Sequence, residues 1–129
     1  MPSGDLYHEA VKTALIMEKL TFYRGAIEKI LTEYRDRLSS ATVEEVENCL
    51  SFDAVRDHYF WFRVGWEGKR RVSQISVYIR LKNGKIWIEE DWTERGIATD
   101  WLEAGISPEE IVLGFHHPSK RFLTEFATA

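Results

Sequence analysis

The chain has 129 residues, of which 44% are hydrophobic and 29% charged, and its net charge is −4. This length suits one domain with its own core, and the composition excludes a disordered tail. The acidic balance excludes the globally basic signature of a nucleic-acid-binding domain, and no apolar run reaches the length of a membrane span.

The opening MPSGDLYHEA lacks the features of a signal peptide, so a cytoplasmic location without a membrane partner is expected. Residues 5 to about 38 predict one long helix or two consecutive ones. From Leu20 onward, Tyr23, Ile27, Ile30, Leu31, Tyr34 and Leu38 follow steps of three and four, the apolar stripe of a helix. Polar residues such as Glu28, Lys29 and Glu33 fill its other side. RLSSAT reads as a loop, after which the period falls from about 3.6 to 2. In VENCLSF, Val46, Asn48, Leu50 and Phe52 alternate with Glu47, Cys49 and Ser51, which predicts a strand with one buried face.

Strands are also expected over 57–66, 72–82 and 85–91. KNGK at 82–85 is a hairpin signal, because Asn-Gly tolerates the positive φ angles of a type I′ turn. A two-residue loop there pairs Leu81 with Ile86, Arg80 with Trp87, Ile79 with Ile88 and Tyr78 with Glu89. Arg80 would then lie over Trp87 as a cation–π pair. WEGK at 66–69 is a second turn whose loop parity is open. With an even loop, Phe60, Phe62 and Val64 join Ile75 and Val77 on the aliphatic face. Tyr59, Trp61 and Arg63 then share the opposite face with Tyr78, Arg80 and Trp87; an odd loop exchanges the two sets. Beyond DWTERG, a short helix is expected from Ile97 to Leu102 with Gly105 as its stop. In SPEEIVL, Ser107 and Pro108 form a helix start.

The fold expected is α+β: a long N-terminal helix on an antiparallel meander of about four strands, with a short helical C-terminal segment. The helix covers one sheet face. The other, with Tyr59, Trp61, Tyr78, Arg80 and Trp87, is rich in the residue types that anchor interfaces. These residues, together with Trp92 in the following loop, are the candidate partner interface.

The catalytic inventory is thin. No Gly-rich phosphate loop, HExxH or nucleophile elbow occurs. The single cysteine, Cys49, lies in an acidic strand pattern, which favours a buried structural thiol over a nucleophile. His116 and His117 are adjacent and would project in different directions. Glu89, Glu90, Asp91 and Glu94 resemble a Mg²⁺ site only loosely, since strand neighbours point to opposite faces. No catalytic residue, metal or cofactor is therefore expected, and an enzyme using the acidic loop is the least favoured reading. Residues 63–85 carry seven Lys/Arg and one acid, whereas 86–110 carry eight acids and one Arg, so the two segments are expected to compensate. The alternative function is direct nucleic-acid binding through the basic 63–82 segment, with Arg63, Lys69, Arg70 and Arg71 on phosphates and aromatics on bases.

Several blocks together resemble the XisI family, the fdxN element excision controlling factors. They are EKLTFYRGAIEKILTEY (18–34), FDAVRDHYFWFRVGWEGKRRV (52–72), NGKIWIEEDWTERGIA (83–98) and ISPEEIVLGFHHPSKRFLTEFATA (106–129). The resemblance covers about 17–129. It implies a single XisI-like domain over 17–129, preceded by a 1–16 extension, with Met17 as the family's usual start. It also implies a non-enzymatic accessory factor for site-specific excision of a DNA element, in which a separate recombinase does the chemistry. The partner implied is a XisH-like protein; a homodimer is compatible, and DNA would be contacted only indirectly or weakly. Two departures bear on partner choice. Where relatives carry a His-x-Asp-x pattern, this chain has Tyr78-Ile79-Arg80-Leu81, and where they carry Gly after the loop Asp it has Trp92.

Overall fold

The computed structural model describes residues 3–39 and 45–129, with side chains from Leu6 onward; Ser40, Ala41 and Thr42 of the expected RLSSAT loop lie outside the described residues. Helix α1 runs unbroken over Ser3–Ser39, a length of about 55 Å at 1.5 Å per residue. The stripe beginning at Leu20 is the one it buries: Tyr23, Ile27, Ile30, Leu31 and Tyr34 are all in the core. Between Leu6 and Lys19 every side chain is exposed, so the C-terminal half of α1 anchors the helix.

The strands are β1 (Glu45–Asp53), β2 (His58–Glu67), β3 (Arg70–Lys82), β4 (Lys85–Asp91) and β5 (Ile111–Leu113). They form one sheet in chain order, antiparallel from β1 to β4, with β5 parallel to β4. The architecture is α+β as expected, with a fifth strand added at the edge. Short helix α2 (Ala98–Glu103) lies between β4 and β5 and ends before Gly105, whose φ is +94°. Its Trp101, with Ile97, Ile106 and Ile111, joins the core that α1 closes. Ser107 caps a single 3₁₀ turn at Pro108–Glu110, its hydroxyl accepting from the Glu109 amide.

Asn83 and Gly84 hold φ of +52° and +74°, as a type I′ turn requires. Leu81–Ile86, Arg80–Trp87 and Ile79–Ile88 pair as the turn dictates. The register then slips by one, so that Tyr78 meets Glu90 rather than Glu89. The β2–β3 turn is also a two-residue loop, since Glu67 pairs with Arg70, and Phe62 duly meets Ile75. Beyond that pair Ser76 is an extra residue, and Trp61 meets Val77 while Tyr59 meets Ile79. One inserted residue sends every later side chain to the other face.

This corrects the expected faces. Tyr59 and Trp61 lie under α1 in the core, 0% and 4% exposed, while Phe60, Phe62 and Val64 take the side away from the helix. Trp61 stacks on Tyr34 with ring centres 5.7 Å apart, and its indole N–H donates to Asn48 Oδ1 at 3.0 Å. Gly65 is required where β2 passes β1: with φ of +151°, a Cβ there would collide with the Glu45 carbonyl oxygen and lie 2.8 Å from Val46 Cα.

A polar clasp ties α1 to the sheet. Arg24 donates to both carboxylate oxygens of Asp57 at 2.8 and 3.0 Å, and the Tyr59 hydroxyl donates to Asp57 Oδ1 at 2.9 Å. Burial opposes the ionised carboxylate, but the Arg24 guanidinium and the Tyr59 hydroxyl outweigh it and hold Asp57 below the usual carboxylate range.

Candidate partner-binding surfaces

The six candidate interface residues fall into four environments. Tyr59 is in the core and has no surface to offer. Trp87 is 7% exposed, because the C-terminal segment crosses over it. That segment is fastened by a bridge between Val112 and Ala127. The cations over the Trp87 ring are Lys82 and Arg121, at 4.7 and 5.2 Å from its centre. The expected Arg80–Trp87 contact gives way to an Arg80–Glu89 ion pair at 3.3 Å. That pair joins the basic and acidic segments, whereas Arg63 and Arg70 pair with Glu67, and Arg95 with Asp100 and Glu103, inside their own segments.

Tyr78 and Arg80 do lie together on the side away from α1. Phe60 stacks on Tyr78 at 4.2 Å and 10°, and the Tyr78 hydroxyl is 2.7 Å from His58 Nδ1. Arg80 Nε is buried with no hydrogen-bond partner among the described residues. Phe62, Ile75 and Cys49 continue this open face as a half-buried band. The thiol is therefore not enclosed in the core; its sulfur lies 4.0 Å from Glu47 Oε2.

Trp61 and Trp92 meet on the helix side. Between the end of α1 and the loop after β4 runs a groove of about 460 Å³, with Trp61 as its floor and Trp92 and Leu38 among its walls. A second hollow of about 270 Å³ shares those three residues and extends it towards Asn48, Gln74 and Arg63. Trp92 is 72% exposed. Its position is set at both ends. The Trp92 amide donates to the Ser76 carbonyl of the bulge at 2.9 Å, and its indole N–H donates to Glu90 at 2.8 Å. The rim carries Arg37, Glu94 and Arg95, with Arg95 held by Asp100 at 3.8 Å and Glu103 at 2.7 Å. Tyr34 donates to Asp100 at 2.8 Å; burial and that carboxylate push its hydroxyl up to about 12.

The acidic loop serves as scaffold. Asp91 accepts from the Thr93 amide at 2.9 Å, the Thr93 hydroxyl at 2.6 Å and the Ile97 amide at 2.8 Å, which shapes the turn beneath Trp92. His117 accepts from the Ser119 amide and caps the 3₁₀ turn at Pro118–Leu123. The four basic candidates cluster at the β2–β3 hairpin tip. Lys69, Arg70 and Arg71 are exposed, Arg71 lies 5.2 Å over the Trp66 ring, and Glu67 pairs with both Arg63 and Arg70. The residues that sequence reasoning missed are Leu38, Arg37 and Arg95 of the groove, and Phe60 and Phe62 of the open face. Only the bulge relates the open face to the pattern, and the groove joins segments more than fifty positions apart.

The XisI protein family model matches residues 17–128. A search of curated proteins gives no match. Among solved structures, the chain is 51% identical to the fdxN element excision controlling factor XisI from Anabaena variabilis ATCC 29413, covering 86% of this chain and 99% of that one, with a TM-score of 0.75. A XisI-like protein from the same organism is 36% identical over 85% of this chain and 99% of its own, with a TM-score of 0.77. The chain described here belongs to the XisI family.

Proposed function

We propose that this protein is a non-enzymatic accessory factor that controls site-specific excision of a DNA element, and that it works by holding a XisH-like partner through the Trp92 groove. The observation that carries the excision role is the 51% identity, over nearly the whole length of the other chain, to a protein described as an excision controlling factor. The groove is favoured as the contact because it presents an exposed tryptophan above an apolar floor, with arginines at its rim. Such anchors dominate interface energetics. Asp91 and His117 cap turns and Glu89 pairs with Arg80, which supports a structural use of these groups and a binding role over a chemical one.

Direct nucleic-acid binding at the hairpin tip is the lesser reading. Lys69 and Arg71 are exposed there, yet Glu67 partly neutralises Arg63 and Arg70. The test is co-purification of a XisH-like protein with the wild type and with Trp92→Ala. Loss of about tenfold or more in affinity is expected for an interface tryptophan. Unchanged capture by a folded Trp92→Ala protein would remove the groove from the account.

A further inference from the structure

The open side of β1, β2 and β3 has an order that the groove does not explain. The registers place Glu45, Trp66 and Arg71 on one terminal rung, and Asp53, His58 and Arg80 on the other. Between them Phe62 lies beside Cys49 and Ile75, and Phe60 beside Ser51 and Tyr78. So β2 carries an aromatic column, with acids on the β1 flank and arginines on the β3 flank at the same two levels. The C-terminal segment, with Arg121 over Trp87 and Ala127 bridged to Val112 at the sheet edge, closes the β4 side.

We propose that this face binds a second copy of the chain, with the two-fold axis running along β2. Rotation about such an axis leaves each rung facing the same rung and exchanges β1 with β3. Phe60 and Phe62 then meet their own counterparts. Glu45 comes opposite Arg71 of the second copy, twice over; Asp53 and Arg80 face each other in the same way, but Arg56 and Glu89 of their own chain already hold them, so the Glu45–Arg71 pair carries the charge match. A two-fold across the strands would instead set β1 acids against β1 acids, which like-charge repulsion disfavours. Two layers of phenylalanine fill the spacing of about 10 Å between packed sheets.

The footprint is small. Ten residues of β2 span about 33 Å, and three strands span about 14 Å, so the projected area is about 460 Å². That is a small patch beside the roughly 800 Å² of accessible surface per partner in a standard interface, so a weak, concentration-dependent dimer is the form to look for. The proposal is independent of the XisH-like partner, whose groove lies on the helix side of the sheet.

Sedimentation equilibrium of the full chain from about 1 to about 500 µM covers the range of a weak dimer. The mass should rise from 15.1 kDa towards twice that value with concentration. Phe62→Asp places two carboxylates on the axis and should stay monomeric throughout, with unchanged circular dichroism. Glu45→Arg and Arg71→Glu should each weaken the dimer by about tenfold, and together should restore it. The charge swaps are surface changes, so they keep the test intact should Phe62→Asp fail to fold. A wild type that stays monomeric throughout overturns the proposal, as does a dimer indifferent to Phe62→Asp or swaps that fail to restore each other. A monomer that pairs through this face only with another protein overturns it too.

Discussion

The two faces of the sheet carry similar chemistry and do different things. On one, Tyr59 and Trp61 lie under α1, each with its polar atom satisfied, by Asp57 and Asn48. On the other, Phe60 and Phe62 lie half-buried with no helix above them. All four are consecutive aromatics of one strand. What divides them is covering, and covering follows from a single extra residue, Ser76, in the neighbouring strand. An aromatic run therefore says that a strand is valuable without saying which half of it builds the fold.

The sharpest way to break this comparison is to truncate one aromatic on each face. Trp61→Ala should cost about 3–5 kcal/mol in urea unfolding, since it removes a fully packed ring and leaves a cavity against Tyr34. Phe62→Ala should cost about 1 kcal/mol, because its ring already meets solvent on one side. Similar losses at the two positions would contradict the assignment of faces.

The next effect is electrostatic. Asp57→Asn should cost about 1–3 kcal/mol near neutral pH by weakening a part-buried, charge-assisted pair with Arg24. The sign follows from the depressed carboxyl. The ionised Asp57 stabilises the fold fully above its ordinary value of 3.8, and the contribution is lost as pH falls through the lower folded value. The stability gap between wild type and Asp57→Asn should thus be constant from pH 5 to 7 and close under strong acid. A gap that persists unchanged into strong acid would contradict the ionic clasp. The smallest effect on stability belongs to Trp92→Ala, within about 0.5 kcal/mol by thermal unfolding. A larger loss would mean that the exposed ring supports the fold rather than a partner.

Much of this was legible in the sequence for physical reasons. The α1 stripe is read directly, because Tyr23, Ile27, Ile30, Leu31 and Tyr34 follow the helical period and are the residues buried. The Asn83-Gly84 turn pins its hairpin because a two-residue loop leaves no freedom of register. The bulges at Ser76 and Glu89 leave no such trace. Ile75, Val77, Ile79 and Leu81 alternate without interruption, yet the extra residue sets Ile75 and Val77 opposite residues of different faces. Strand β5 escapes because three residues are too few to show a period. The burial of Trp87 escapes because its cover comes from a C-terminal segment without periodicity. Of the site, Trp92 was identified as an exposed candidate, but its groove depends on where α1 ends relative to β4, which only tertiary packing decides.

A XisH-like partner held at the Trp92 groove would cover the helix side of the sheet where α1 ends beside the loop after β4. Hydrogen exchange of the backbone amides, with and without that partner, tests it most directly. Docking there should slow exchange in the loop from Thr93 to Arg95 and at the end of α1 around Leu38, with the hairpin tip at Gly68 and Lys69 unchanged. Protection confined to the hairpin tip, or absent from the groove in a formed complex, would contradict it.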